Sequence, residues 1–210
     1  MSVIARQFAR PRGLLGRLIG HGMARGNGEF NRWLVREVEA SCGPNALRIV
    51  ELGPGPGIGL QEILRAFPEA RVWGLDPSPV MLSQSRKRNI DEIRSGRLLL
   101  VKGDLTSLAD LAPVDLVLAA HVIYFWPKPG SAMAQIHGAL RPDGLLALGY
   151  QLKANMPGPA QVNFPKEGHL LYESDDDVAA PLQASGFRSV RFTIQGPVDA
   201  PYGRLALAEA

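Results

Sequence analysis

The sequence predicts a doubly wound α/β domain: a mostly parallel seven-stranded sheet with an antiparallel last strand, helices on both faces, and a helical arm at the N-terminus. Three observations point there. Short apolar runs alternate with helix-period segments from Leu47 onward. A glycine-rich turn follows the first of these runs directly. The last two apolar runs are joined by a turn too short for a crossover helix, so they must pair antiparallel.

The strands are expected at Leu47–Leu52, Arg71–Asp76, Leu98–Lys102, Val114–Ala120 and Leu145–Tyr150, then Phe187–Ile194 and Tyr202–Ala208. Between them, Leu60, Ile63, Leu64 and Phe67 recur at i, i+3, i+4 and i+7, the spacing of one buried helix face. Further helices are expected from about Pro79 to Arg88, with Ser78 as the cap, and from Ser131 to Leu140. Phe30, Trp33, Leu34 and Val38 mark an earlier one. Pro181 should shorten or kink the helix that precedes Gly186. The Pro/Gly-rich stretch from Lys153 to Tyr172 reads as a long connecting loop or lid, with His169 and Tyr172 placed at the surface. Asp175, Asp176 and Asp177 precede a helix and read as capping rather than metal-binding residues.

Composition narrows the function classes. The 210 residues suit one domain, with 46% hydrophobic and 20% charged residues in globular balance. A net charge of +3 does not by itself imply a nucleic-acid partner. One cysteine, Cys42, excludes an intrachain disulfide and a zinc–cysteine cluster, and the four histidines show no metal-ligand spacing, so no metal site is expected. No apolar run reaches the roughly 20 residues that span a bilayer, and the start has no apolar signal core. The expectation is a cytoplasmic protein without a membrane span. Residues 1–40 form a basic arm or lid, with seven arginines in the first 36 residues against the single acid Glu29, and residues 41–210 form the main domain.

The glycine turn carries the most chemical information. It reads Glu51-Leu52-Gly53-Pro54-Gly55-Pro56-Gly57-Ile58-Gly59. A dinucleotide fold wants G-x-G-x-x-G, and the third glycine of that pattern falls on Ile58 or Leu60 whichever glycine starts the count. No Gly-Lys-Ser/Thr follows, which excludes a P-loop. A carboxylate before the turn, Glu51, repels a pyrophosphate and suits an ammonium or sulfonium group. Asp76 ends the second strand, where an acid can accept hydrogen bonds from ribose hydroxyls. Asp104 ends the third, where it can meet an adenine amino group or simply cap the following turn.

Taken in order, these segments resemble the class I S-adenosylmethionine-dependent methyltransferases. The glycine turn looks like that family's first motif, and Leu75-Asp76-Pro77-Ser78-Pro79-Val80-Met81-Leu82 looks like the second. Gly103-Asp104-Leu105 is similar to the adenine-side motif, and Asp115 to Trp126 to the fourth. Leu140 to Leu146 resembles the turn before the fifth strand, and Ala184-Ser185-Gly186-Phe187 the entry to the sixth. The resemblance implies a Rossmann-like sheet and S-adenosyl-L-methionine as cofactor. Its methionine end would lie along Glu51, Gly53, Gly55 and Gly57, its ribose at Asp76 and Pro77, and its adenine between Met81 and Asp104–Leu105. His121, at the end of the fourth strand, should face the methyl group as a base or orienting residue, with Tyr124 beside it. Amino-methylating enzymes of nucleobases resemble Asp/Asn-Pro-Pro-Tyr at that strand end, and this chain has His121-Val122-Ile123-Tyr124. The expected acceptor is therefore a small molecule, with no nucleic acid, and the protein a monomer or homodimer. An RNA or protein methyltransferase, or a non-catalytic cofactor-binding regulator, is the alternative.

Overall fold

The computed structural model describes residues 27–42 and 46–210; residues 1–26 of the expected 1–40 arm lie outside the described residues. Helix α1 (Gly28–Cys42) leads into β1 (Arg48–Leu52), α2 (Ile58–Ala66), β2 (Arg71–Asp76), α3 (Pro79–Arg88), the short α4 (Ile90–Arg94) and β3 (Leu98–Lys102). A 3₁₀ turn (Leu105–Leu111), β4 (Val114–Ala120), a second 3₁₀ turn (Ile123–Phe125), α5 (Pro129–Ala139) and β5 (Leu140–Tyr150) follow. The chain closes with a 3₁₀ turn (Lys153–Asn155), α6 (Gly158–Lys166), α7 (Asp176–Ala184), β6 (Ser189–Gln195) and β7 (Gly203–Glu209). The strands form one seven-stranded sheet in the order β3-β2-β1-β4-β5-β7-β6. The first five run parallel, and β7 lies antiparallel between β5 and β6.

Alternation along the strands divides the core between two faces. Ile49, Val72, Leu116, Leu118, Ala147 and Leu205 pack under α1 and α2, against Phe30, Leu34, Leu60 and Ile63. Val50, Leu75, Val117, Ala119, Leu146, Leu148 and Ala206 pack on the other face under α5 and α7. Helix α1 crosses the boundary expected at residue 40, and its apolar side is as buried as any strand, with Leu34 and Val38 almost fully covered.

Three local expectations are corrected. The Lys153–Tyr172 stretch is not a bare loop: it carries α6 and folds back onto the segment after β4, where the Leu170 N–H donates to the Tyr124 carbonyl at 2.9 Å. Tyr172 is accordingly buried, its hydroxyl on the Ile123 carbonyl, rather than at the surface. Strand β5 begins at Leu140, upstream of the expected Leu145, with a register shift opposite Val114–Leu116. Pro181 falls inside α7, as expected, and this short helix of nine residues ends at Ala184. Its end comes where Gly186 turns left-handed and the Phe187 N–H closes on the Leu182 carbonyl, which is why β6 starts only at Ser189. The aspartates ahead of α7 bind protein donors. Asp177 accepts from the Glu173 and Ser174 N–H groups, and Asp175 from the Tyr150 hydroxyl and Arg204.

Candidate functional site

The carboxyl ends of β1, β2 and β4 converge on the glycine turn. Gly53, Gly55 and Gly57 all take left-handed backbones, with φ of 64°, 54° and 82°. The alternation with Pro54 and Pro56, whose φ is locked near −65°, makes a stiff zigzag that only glycine can complete. The prolines also remove two N–H donors. Those of the glycines are consumed inside the protein: Gly53 donates to the Leu75 carbonyl, Gly55 to Asp76 and Gly57 to the Pro54 carbonyl. This turn is therefore not an anion cradle, in agreement with the missing dinucleotide pattern.

Glu51 lies opposite Gly74 and Leu118 in the sheet and is buried. Its carboxylate rests on α2, where a Cβ on Gly59 would fall 2.0 Å from Oε1. The Leu60 N–H supports it, but Oε2 has no partner. Burial, reinforced by the charge of Asp76, pushes its pKa up from 4.5 to about 8. Asp76, also buried, accepts from Ser78 N–H at 2.7 Å and from Gly55 N–H at 3.0 Å. Burial raises its pKa to about 6 against those two hydrogen bonds. The two acids thus form one electrostatically coupled pair flanking the turn. Each Asp76 oxygen keeps a second lone pair for a further donor.

The remaining cofactor candidates are spread around this pair. Ser78 caps α3 as expected, with its Oγ accepting from Met81 N–H at 3.4 Å. Pro77 is exposed, and the Met81 side chain is buried. Asp104 is exposed and caps the 3₁₀ turn that begins at Leu105, accepting from both Thr106 N–H and Oγ1. Leu105 is half-buried against the core.

His121 ends β4 in a left-handed backbone, φ 56°, with its N–H on the Gly149 carbonyl at 2.7 Å. Strand alternation would send its ring to the face of Val117 and Ala119. The left-handed residue instead brings it against Phe30 of α1, on the opposite face, with ring centroids 4.3 Å apart and planes 30° apart. Burial lowers its pKa to about 4, so the ring is neutral at physiological pH. Its neighbour Val122 touches the glycine turn, since a Cβ on Gly53 would lie 2.5 Å from Val122 Cγ1. Tyr124 is less available than the sequence implied. Its hydroxyl accepts from Gln151 N–H at 2.5 Å and donates to the Gln151 carbonyl at 3.2 Å, and burial raises its pKa.

Sequence reasoning missed a clamp behind the turn. Asn89 Nδ2 donates to the Gly57 carbonyl at 3.0 Å and Arg88 Nε to that of Pro56 at 3.0 Å. A Cβ on Gly57 would meet Ser85 Oγ at 2.4 Å and Asn89 Nδ2 at 2.7 Å. The only trace of this in the sequence is that α3 is too polar for a core helix, with Ser85 and Asn89 buried on its inner side.

Residues 50–148 match the family model described as a methyltransferase domain. The trans-aconitate 2-methyltransferase of Methylobacterium nodulans is 33% identical over 113 residues, covering 54% of this chain and 41% of that protein. The malonyl-[acyl-carrier protein] O-methyltransferase of Laribacter hongkongensis is 33% identical over 105 residues, 47% of this chain and 35% of that one. The chain thus spans less than half the length of these curated relatives. Among solved structures, the N-methyltransferase NodS from Bradyrhizobium japonicum, in complex with S-adenosyl-L-homocysteine, superposes with a TM-score of 0.66. At 18% identity, over 86% of this chain and 85% of that one, this is a likeness of fold.

Proposed function

We propose that this chain is a class I S-adenosylmethionine-dependent methyltransferase, which binds S-adenosyl-L-methionine and transfers its methyl group to a small-molecule acceptor. The observation that carries the reading is the buried Glu51 oxygen without a hydrogen-bond partner, beside a turn whose glycine donors are already spent. Such a site is short of positive charge and of donors, and a nucleoside bearing an ammonium and a sulfonium supplies both. Phosphate-bearing cofactors fit it poorly.

The residues then divide the work. Glu51 and the turn from Gly53 to Gly57 take the amino-acid end, and Asp76 with the adjoining Pro77 takes the ribose. Asp104, Leu105 and Met81 would hold the adenine. The cofactor contributes a methyl carbon on a positive sulfur that leaves as a neutral thioether. Alignment therefore supplies most of the rate, and the protein's task is to hold the acceptor in line and remove its proton. His121, unprotonated at neutral pH because burial lowers its pKa to about 4, adjoins the turn through Val122 and serves as the residue that orients the acceptor or takes up its proton as the new bond to carbon forms. Tyr124 holds the chain at Gln151 in place and does not touch the reacting atoms. Among the described residues no helix is long and apolar enough to cross a membrane. We take the protein to act in the cytoplasm, as a monomer or homodimer.

Two measurements test this. Calorimetry should detect binding of S-adenosyl-L-homocysteine, with no binding of nicotinamide dinucleotides. Mass spectrometry of a metabolite panel incubated with labelled cofactor should show a product heavier by one methyl. Absence of nucleoside binding would reject the proposal.

A further inference from the structure

We propose that Phe30 is the positioning residue of this site: seated on glycine positions of two neighbouring strands, its ring fixes the orientation of His121 and shields one face of the imidazole from water. The sheet gives up side chains to make the seat. A Cβ on Gly149 of β5 would meet Leu34 Cδ1 first and then Phe30 Cε1 at 2.8 Å, so that glycine makes room for both side chains of α1, whereas one on Gly203 of β7 would lie 2.3 Å from Phe30 Cε2, with the ring as its nearest neighbour. Neither glycine has a left-handed backbone, so conformational freedom does not account for them. Space does. Two residues further in along each strand stand Ala147 and Leu205, ordinary core residues, and Leu205 is the partner of Gly149 across the two strands.

His121 meets Phe30 because of its own backbone. Its left-handed φ is a costly conformation for a residue with a Cβ. It is held from two sides, by the N–H bond to the Gly149 carbonyl and by the ring contact with Phe30. Gly149 is thus engaged twice, its carbonyl fixing the His121 backbone and its missing side chain admitting the ring that fixes the imidazole. The Tyr124 phenol lies 6.5 Å from the imidazole between centroids and is tied to Gln151. Desolvation alone depresses the basicity of His121, and Phe30 is part of the surface that desolvates it. This role for Phe30 rests on the reading of His121 as proton acceptor, but its physical content is separable from catalysis.

The test is a proton NMR titration of the imidazole, assigned by the signal that His121→Gln removes. In the wild type the ring should stay neutral down to about pH 4. In Phe30→Ala its midpoint should rise towards the ordinary histidine value near 6.5, a gain of tenfold or more in proton affinity. Phe30→Trp, which keeps an aromatic cover, should restore the low midpoint. Gly203→Ala, which drives a methyl into the ring, should act in the same direction as Phe30→Ala while leaving Phe30 in the chain. Should Phe30→Ala fail to fold, Gly203→Ala and Phe30→Leu carry the test, the latter through loss of the ring-current shift on the His121 protons. An unmoved His121 titration and chemical shift in folded variants would overturn the proposal. Binding of S-adenosyl-L-homocysteine is measured on the same samples. If the wild type fails to bind it, the methyltransferase reading falls while the titration result stands.

Discussion

Replacing Glu51 by glutamine should stabilise the free protein and cripple its use of cofactor. Burial and the nearby Asp76 hold the Glu51 pKa near 8, against 4.5 for an unperturbed side chain. The native state therefore keeps a proton that the unfolded chain releases, and stability falls as pH rises from the unfolded value towards the folded one. At pH 7 the gap is roughly 2.5 pH units at about 1.4 kcal/mol each, which sets an upper limit of about 3.5 kcal/mol on the penalty. Glutamine carries no charge at any of these pH values, and like the protonated acid it leaves one buried polar atom unpaired, so that cost cancels to first order. A gain of about 1–3 kcal/mol at pH 7 corresponds to a rise of roughly 2–10 °C in Tm for a chain of this length.

The diagnostic window is pH 6.5 to 8. Asp76, with its folded pKa near 6, contributes a falling slope only below that range, and His121, lowered to about 4, contributes a rising one below its unfolded value of 6.5. Urea midpoints followed by circular dichroism should therefore decline for the wild type between pH 6.5 and 8 and stay level for Glu51→Gln. Cofactor binding should reverse the preference. A cation beside Glu51 favours the carboxylate, so binding at pH 7 should release about one proton per site, and the variant should release none. Calorimetry in buffers of different ionisation enthalpy reads that number. A wild-type stability flat across the window, or a variant less stable at pH 8, would refute the electrostatic account of Glu51.

Asp76→Ala removes the acceptor for Gly55 and Ser78 as well as the proposed ribose contact, and hydrogen bonds to a charged group are each worth about 1.5–3 kcal/mol. Affinity for S-adenosyl-L-homocysteine should fall at least about tenfold by calorimetry. Gly57→Ala combines a left-handed φ of 82° with a Cβ 2.4 Å from Ser85 Oγ, and should cost about 1–3 kcal/mol in urea unfolding and weaken cofactor binding with it. His121→Ala should lower kcat by about 10²–10⁴ with cofactor affinity unchanged, once an acceptor is in hand. An unaltered rate would make His121 structural.

The fold was legible because two periods carry it. Strand β1 alternates Ile49 and Glu51 to one face with Val50 and Leu52 to the other, and α2 repeats Leu60, Ile63 and Leu64 at helical spacing. Where the signal failed, tertiary contacts overrode local composition. The prolines and glycines of 153–172 look like a loop, yet Phe164, His169 and Tyr172 fold back onto Tyr124 and Phe125 in one aromatic cluster. No short window shows that pairing, because the partners lie some forty residues apart.

The chemistry was legible only where it sits on the chain in order. Glu51, the glycines and Asp76 fall at strand ends, so an α/β register brings them to one edge without further information. What prepares them is contributed at right angles to the sequence. Asn89 and Arg88 reach the carbonyls of the turn from the end of α3, and Gly59, in the first turn of α2, makes room for the Glu51 carboxylate. Phe30 needs vacancies on two different strands before it can meet His121. Glycine marks nearly all of these places, but for two unlike reasons. In the turn it supplies left-handed backbone, and at 59, 149 and 203 it supplies absence of volume. A sequence displays the first kind as a cluster beside prolines. The second kind is isolated glycine inside helix or strand, and only the packing tells it from a weak position in an element, which is why the residues that tune this site were the last to be found.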